Sequence, residues 1–421
     1  MTTPGVADVV RDFYDKYPYP QPIDNLDKYR RLWLDPNRRR ADYHLFWPTR
    51  SYREDHAILI AGCGTSQAAK HASRWPNAQV IGIDFSATSV RHTEALKHKY
   101  DLKNLRVYQL PIERASELEI QFDQIVCTGV LHHLENPDAG LQALRGLLKP
   151  DGTMHLMIYA PYGRTGIYLL QEFCRRIGIH AADADIHDLM VALKALPPGH
   201  PLEHLLREAP DFRQEAELAD ALLHPHDRAY SVPQLFDLIE GAGLTFGRWV
   251  KQAPYLPQCG IIARLPQAAR IAQLPPVDQY TAVELFRGTL VRHSAIVYRN
   301  DFPGRPQPIG FTGDAWLDYV PIRLSDTISV QEKLPPTAAA VLINRTHPYT
   351  DLFLPITATE KRLFDAIDGT RSVGEIVKRT QSVAPHDAAR AFFERLWWYD
   401  QVVFDASTPP EKNSDPAHVV P

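Results

Sequence analysis

The stretch Ala57-Ile58-Leu59-Ile60-Ala61-Gly62-Cys63-Gly64-Thr65 decides the fold. Five small or branched apolar residues read as a buried strand, and the two glycines that follow let the chain turn sharply. A glycine turn after a strand also lets a ligand approach backbone N–H groups with no Cβ in the way. Asp84 ends the next strand-like run, Gln79–Asp84, where a carboxylate accepts hydrogen bonds from both hydroxyls of a ribose. Gln67 stands where a dinucleotide-binding turn has its third glycine, the one that supports close helix packing beside a pyrophosphate.

Outward from this turn, strand-like segments alternate with helical ones. The strands are expected at Ala57–Ala61, Gln79–Asp84, Leu105–Tyr108, Gln124–Thr128 and Thr153–Tyr159, with helices near 66–75, 86–99 and 137–148. Such alternation points to a parallel sheet covered on both faces. Residues 162–229 read mostly helical and interrupt it. Ser231 and Gln234 have capping-box spacing, and strand-like Thr245–Val250 and Gly260–Leu265 follow.

Four motifs in this order resemble the class I S-adenosylmethionine-dependent methyltransferases. They are Ala61–Thr65, Ile83-Asp84-Phe85-Ser86, the run from Phe122 through Thr128-Gly129-Val130-Leu131-His132-His133-Leu134, and Leu148-Lys149-Pro150-Asp151-Gly152. The resemblance implies an α/β fold, a Rossmann-like sheet in the order 3-2-1-4-5-7-6 with strand seven antiparallel. It implies S-adenosylmethionine as the cofactor, lying over the carboxyl ends of the strands. By the match, Ala61, Gly62, Cys63 and Gly64 line its methionine side, Asp84 takes the ribose and Phe85 flanks the adenine. Thr128 and Gly129 offer backbone near the sulfonium. Pro111 stands where the family often carries an acid for the adenine amine, which leaves Ile112 to pack on the ring.

Methyl transfer from a sulfonium needs a base only when the acceptor carries a proton. His132, His133, His226, Asp227 and Tyr230 are the candidates for that role, against a plain packing or turn role for the same residues. No second ligand cluster has recognisable spacing, so no metal is expected. Tyr14, Tyr17 and Tyr19 lie in a proline-stiffened leader that reads as a lid over the cofactor, and Arg38-Arg39-Arg40 reads as a solvated patch.

The domain boundaries follow: 1–56 as lid and substrate segment, 57–265 as the methyltransferase domain with its insertion at 162–229, 266–335 as linker, 336–405 as a C-terminal unit and 406–421 as a disordered tail. The C-terminal unit has the pattern of a small winged helix. Phe364-Asp365-Ala366-Ile367-Asp368-Gly369-Thr370-Arg371-Ser372-Val373-Gly374-Glu375-Ile376 resembles the peptide-binding recognition element of ribosomal peptide modification. That likeness implies a peptide added to a sheet edge, for which Ala339–Asn344 is the expected strand.

The 421 residues carry a net charge of −4, which supplies no global basic field for nucleic acid. No apolar run is long enough for a membrane span, and Cys63, Cys127, Cys174 and Cys259 show no paired spacing. A cytoplasmic enzyme is expected, acting on a small molecule. The alternatives are a methyltransferase of a peptide or protein, or a module that binds the cofactor without turnover. A homodimer stays open.

Overall fold

The computed structural model describes residues 6–203, 214–306, 308–380 and 386–407. The tail expected to be disordered lies outside them from residue 408, as does part of the insertion. The chain divides into two compact units, residues 1–36 with 54–305 and residues 37–53 with 306–421.

The first unit is built on a seven-stranded sheet in the order β3-β2-β1-β4-β5-β7-β6. Its strands are β1 (Ala57–Ala61), β2 (Gln79–Asp84), β3 (Leu105–Gln109), β4 (Phe122–Thr128), β5 (Leu148–Tyr159), β6 (Leu244–Trp249) and β7 (Arg292–Arg299). The first five run parallel, and β7 pairs antiparallel with both β5 and β6. Ile58, Leu59, Ile60, Ile83, Ile125 and Cys127 are buried, as strands covered on both faces require. The implied order is present, but its last member is not where the sequence placed it. Gly260–Leu265 holds only a short 3-10 turn at Ile262–Arg264, and the antiparallel strand lies at Arg292–Arg299 after helix Pro276–Arg287. The first unit therefore takes in residues 266–305 of the stretch expected to be linker, and the second unit takes in the rest. His293 and Ala295–Tyr298 of this strand are buried, whereas in Ile261–Leu265 only Ile262 is.

The insertion forms helices Thr165–Ile177, Asp183–Leu193 and Glu215–Leu223. They share a core with helix Val6–Lys16: Phe13 and Tyr17 pack with Ile167, Leu170, Ile186, Leu218 and Leu222. Ser231 and Gln234 form the capping box, with the Ser231 N–H donating to Gln234 Oε1 at 2.9 Å. All four cysteines are free and buried. Among the described residues no helix is long and apolar enough to cross a membrane.

The second unit has a three-stranded sheet in the order β11-β10-β9, from β9 (Thr327–Val330), β10 (Ala340–Asn344) and β11 (Phe353–Ile356). A second pair joins β8 (Val320–Arg323) to β12 (Val402–Asp405). Helices Ala358–Asp365, Val373–Arg379 and His386–Trp398 close a core of Trp316, Leu342, Phe364, Ile376, Phe392, Phe393 and Phe404. Two of these helices open on reciprocal caps, Thr357 with Glu360 and Ser372 with Glu375. Ala339–Asn344 is not an edge: β10 pairs on both sides, so the sheet's edges are β9 and β11.

Residues 37–53 also belong to this unit and not to a lid. Ala41 packs with Ile322 and Val403, and His44 Nε2 lies 3.2 Å from the Asp405 carboxylate. The arginine triplet is not a merely solvated patch. Arg38 pairs with Asp326 at 3.4 Å, and Arg40 donates to the Gly369 carbonyl and to Asp405. A basic helix face met by partly buried carboxylates becomes a structural seam.

Candidate active site

The glycine turn and Asp84 form one hydrogen-bonded unit. Gly62 and Gly64 have φ of +69° and +53°, the left-handed region that a Cβ disfavours. A Cβ on Gly62 would come within 2.3 Å of Val130 Cγ2, and one on Gly64 within 2.9 Å of the Tyr19 carbonyl oxygen. The Gly64 N–H donates to Asp84 Oδ2 at 2.8 Å, and the Ser86 N–H donates to Oδ1 at 2.9 Å. Each carboxylate oxygen keeps a further acceptor position. Burial raises the Asp84 carboxyl to about 6.

The N-terminal segment sits on this unit. Thr65 Oγ1 donates to the Pro20 carbonyl at 2.7 Å. Asp15 accepts from Ser86 Oγ at 2.7 Å and from the Thr88 N–H at 3.1 Å. Tyr14 lies edge-on to Phe85, with centroids 6.2 Å apart. Tyr17 is tied to the insertion, its hydroxyl donating to Asp183 at 2.8 Å. Tyr19 reaches the site through its backbone beside Gly64.

Ala61, Asp84, Gln109, Thr128 and Tyr159 end the five parallel strands, so the predicted cofactor residues share one end of the sheet. Pro111 and Ile112 follow β3, with Ile112 buried at the start of a 3-10 turn. Gly129 follows β4 with φ +79°.

Beyond β4, a 3-10 turn carries His132 and His133, both buried. His133 Nδ1 is 2.8 Å from the His226 carbonyl oxygen. A carbonyl only accepts, so Nδ1 carries the proton and Nε2 keeps its lone pair in the neutral ring. His226 returns the contact from its own Nδ1 to the His133 carbonyl at 3.2 Å. Burial lowers His133 to about 4 and His132 well below the usual histidine range, so both rings are neutral at pH 7.

Asp227 pairs with Arg164 at 3.3 Å and accepts from Gln171 at 3.1 Å, both through Oδ2. The Arg164 guanidinium lies 3.6 Å from the Tyr159 ring centroid. His132, His133 and Asp227 each offer a ligand atom within 4.8 Å of the others, and so do His133, Asp220 and His224. Tyr230 stands apart from these groups; its N–H donates to the Tyr159 carbonyl at 2.9 Å.

Sequence reasoning missed Asp220 and Arg164. Asp220 accepts from the Tyr14 hydroxyl at 2.9 Å, and burial raises its carboxyl to about 7. Both lie at helical positions that read as ordinary polar residues, and only the packing of the insertion turns them inward.

A methyltransferase-domain model matches residues 59–154. An uncharacterized protein of Synechococcus sp. is 32% identical over 311 residues, covering 71% of this chain and 73% of its own length. The ubiquinone biosynthesis O-methyltransferase of Histophilus somni is 26% identical over 147 residues, which span 32% of this chain and 61% of that protein. Among solved structures, PKMT2 from Rickettsia typhi in complex with AdoHcy superposes with a TM-score of 0.61 at 16% identity, covering 88% of this chain and 75% of that one. By its matched methyltransferase domain and its sheet order, the chain belongs to the class I S-adenosylmethionine-dependent methyltransferases.

Proposed function

We propose that this methyltransferase acts on a small molecule whose acceptor atom meets the methyl group between the end of β4 and the His–Asp cluster. The carrying observation is enclosure. Helix Val6–Lys16 and the insertion close over this end of the sheet through Tyr14–Asp220, Tyr17–Asp183 and the shared core around Phe13. Enclosure favours a compact acceptor and excludes water from the sulfonium.

In this reading the cofactor supplies an activated methyl group. Ala61, Gly62, Cys63 and Gly64 hold its methionine end against backbone. Asp84 accepts the ribose hydroxyls on the positions its two backbone partners leave open. Phe85 and Ile112 flank the adenine, with Pro111 at the ring's edge. Thr128 and Gly129 border the sulfonium. His132, His133 and Asp227 meet the acceptor, while His226 braces the His133 ring. The residues Tyr14, Tyr17 and Tyr19 belong to the lid.

The test is methyl-labelled S-adenosylmethionine with whole protein and cell extract, followed by separation into small-molecule and protein fractions. Label in the small-molecule fraction, reduced with Asp84→Ala at subsaturating cofactor, is expected. Label confined to protein would overturn the small-molecule reading.

One observation favours a second reading, a peptide acceptor. The second unit sets a three-stranded antiparallel sheet with edges β9 and β11 before three helices. A sheet edge recruits an extended peptide through backbone hydrogen bonds. Since residues 37–53 are part of that unit, removing residues 306–421 would also strip their partners, so point changes on β9 or β11 are the proper probes.

A further inference from the structure

Four buried polar atoms in the His–Asp cluster have no hydrogen-bond partner: Nδ1 and Nε2 of His132, Oδ1 of Asp227 and Nε2 of His224. His132 is 0% exposed, so water in bulk does not reach its ring. Leaving such an atom unsatisfied forfeits the hydrogen bond it makes with water in the unfolded chain. Native proteins rarely concentrate such costs in one place without a ligand to relieve them.

We propose that His132, His133 and Asp227 form a binding site for a divalent transition-metal ion of the zinc class. Each residue keeps a lone pair and is held for the task by its other polar atom or by its neighbours. His133 donates Nδ1–H to the His226 carbonyl, which fixes the tautomer with Nε2 open. That is the outer-shell contact metal-binding histidines characteristically make. Asp227 spends Oδ2 on Arg164 and Gln171, which orients the carboxylate and leaves Oδ1 open. His132 has both ring nitrogens free, and its ring is packed between His133 and Tyr159 at 4.2 and 4.0 Å. The rings of His132 and His133 are inclined by 59°, so their in-plane lone pairs can converge on one point.

The overlapping set of His133, Asp220 and His224 is the poorer one. The His226 N–H donates to His224 Nδ1 at 3.0 Å, so in the neutral ring Nε2 carries the proton and offers no lone pair. The His224 ring also lies against His133, 3.9 Å away and inclined by 33°. Asp220 is already engaged by the Tyr14 hydroxyl.

Two imidazoles and one carboxylate suit zinc and its neighbours better than magnesium or calcium, which favour all-oxygen sites. Three protein ligands leave a fourth position for water or for an acceptor oxygen. The expectation of no metal rested on local spacing; Asp227 comes from a loop far along the chain, which no spacing rule reveals.

The site is tested without turnover, so it stands or falls apart from the small-molecule reading. Whole protein is stripped with a chelator and dialysed against Zn(II), and separately titrated with Co(II). A single zinc ion per chain and visible Co(II) ligand-field bands are expected. His132→Phe keeps the ring volume and removes the lone pairs. With Asp227→Asn, it should weaken zinc binding by at least about a hundredfold, and Gln171→Ala by about tenfold to a hundredfold. Retained S-adenosylhomocysteine binding in each variant establishes that it is folded. Substoichiometric zinc in the wild type, or stoichiometric zinc unaffected by His132→Phe and Asp227→Asn, would overturn the proposal; the second result would place the ion on surface histidines.

Discussion

The glycine turn and the His–Asp cluster lie at the same end of one sheet, yet they are built on opposite terms. Around Gly62, Gly64 and Asp84 both carboxylate oxygens have a backbone donor, and each glycine is fixed by positive φ and a close neighbour. In the cluster, both ring nitrogens of His132 and one oxygen of Asp227 are buried with no hydrogen-bond partner. A satisfied network is a scaffold that holds its shape before any ligand arrives; an unsatisfied one is completed by its ligand. The proposed cofactor end is therefore preorganised, and the proposed acceptor end is where the molecule still has interactions to gain.

The largest effect should come from breaking the scaffold. Gly62→Val places a branched side chain at φ +69° and 2.3 Å from Val130 Cγ2. Left-handed strain and overpacking together should cost about 2–5 kcal/mol, read as a lowered midpoint in urea unfolding. A midpoint unchanged from wild type would mean that the turn is not fixed as described.

Next comes Asp84→Ala, which removes the acceptor for two backbone N–H groups and, in the proposed role, for the ribose. Affinity for S-adenosylhomocysteine should fall by about 1–3 kcal/mol in calorimetry. The same residue predicts a pH signature in which stability and binding move oppositely. Burial raises its carboxyl from 3.8 to about 6, so the folded chain holds the proton more tightly than the unfolded one. Its contribution to stability is thus present below the unfolded value and lost as pH rises through about 6. Cofactor affinity should instead weaken as pH falls through about 6, because a protonated carboxyl accepts fewer hydrogen bonds. Affinity constant from pH 7 to 5 would separate Asp84 from the ribose.

The smallest effect is expected at the lid. Tyr14→Phe removes one hydrogen bond to buried Asp220 and should destabilise the protein by about 1 kcal/mol. Turnover should fall by more than cofactor affinity if, as proposed, this segment encloses the acceptor side. Equal losses in both would make Tyr14 a packing residue only.

This same contrast governs what was legible in the sequence. The glycine turn, Asp84 and the capping residue Ser231 were readable because each is a local pattern whose partners lie a few residues away or on the adjacent strand. Asp220 and Arg164 were not, because a polar residue on a helix or in the turn before one shows its burial only once the insertion packs. Strand Arg292–Arg299 has an apolar run of its own, yet two helices separate it from β6, and nothing local says which strand it joins. Likewise Ala340–Asn344 was visible as a strand, whereas its central place depends on β9 and β11, short strands whose pairing is not written in either segment alone.

The most direct test is calorimetric titration of S-adenosylhomocysteine into the wild type, Asp84→Ala and His132→Phe. The account predicts one site in the wild type, weakened about fivefold or more in Asp84→Ala. It predicts an affinity within about twofold of wild type in His132→Phe, as expected of a change at a separate site. Full affinity in Asp84→Ala together with lost affinity in His132→Phe would put the cofactor at the wrong end of the site and contradict it.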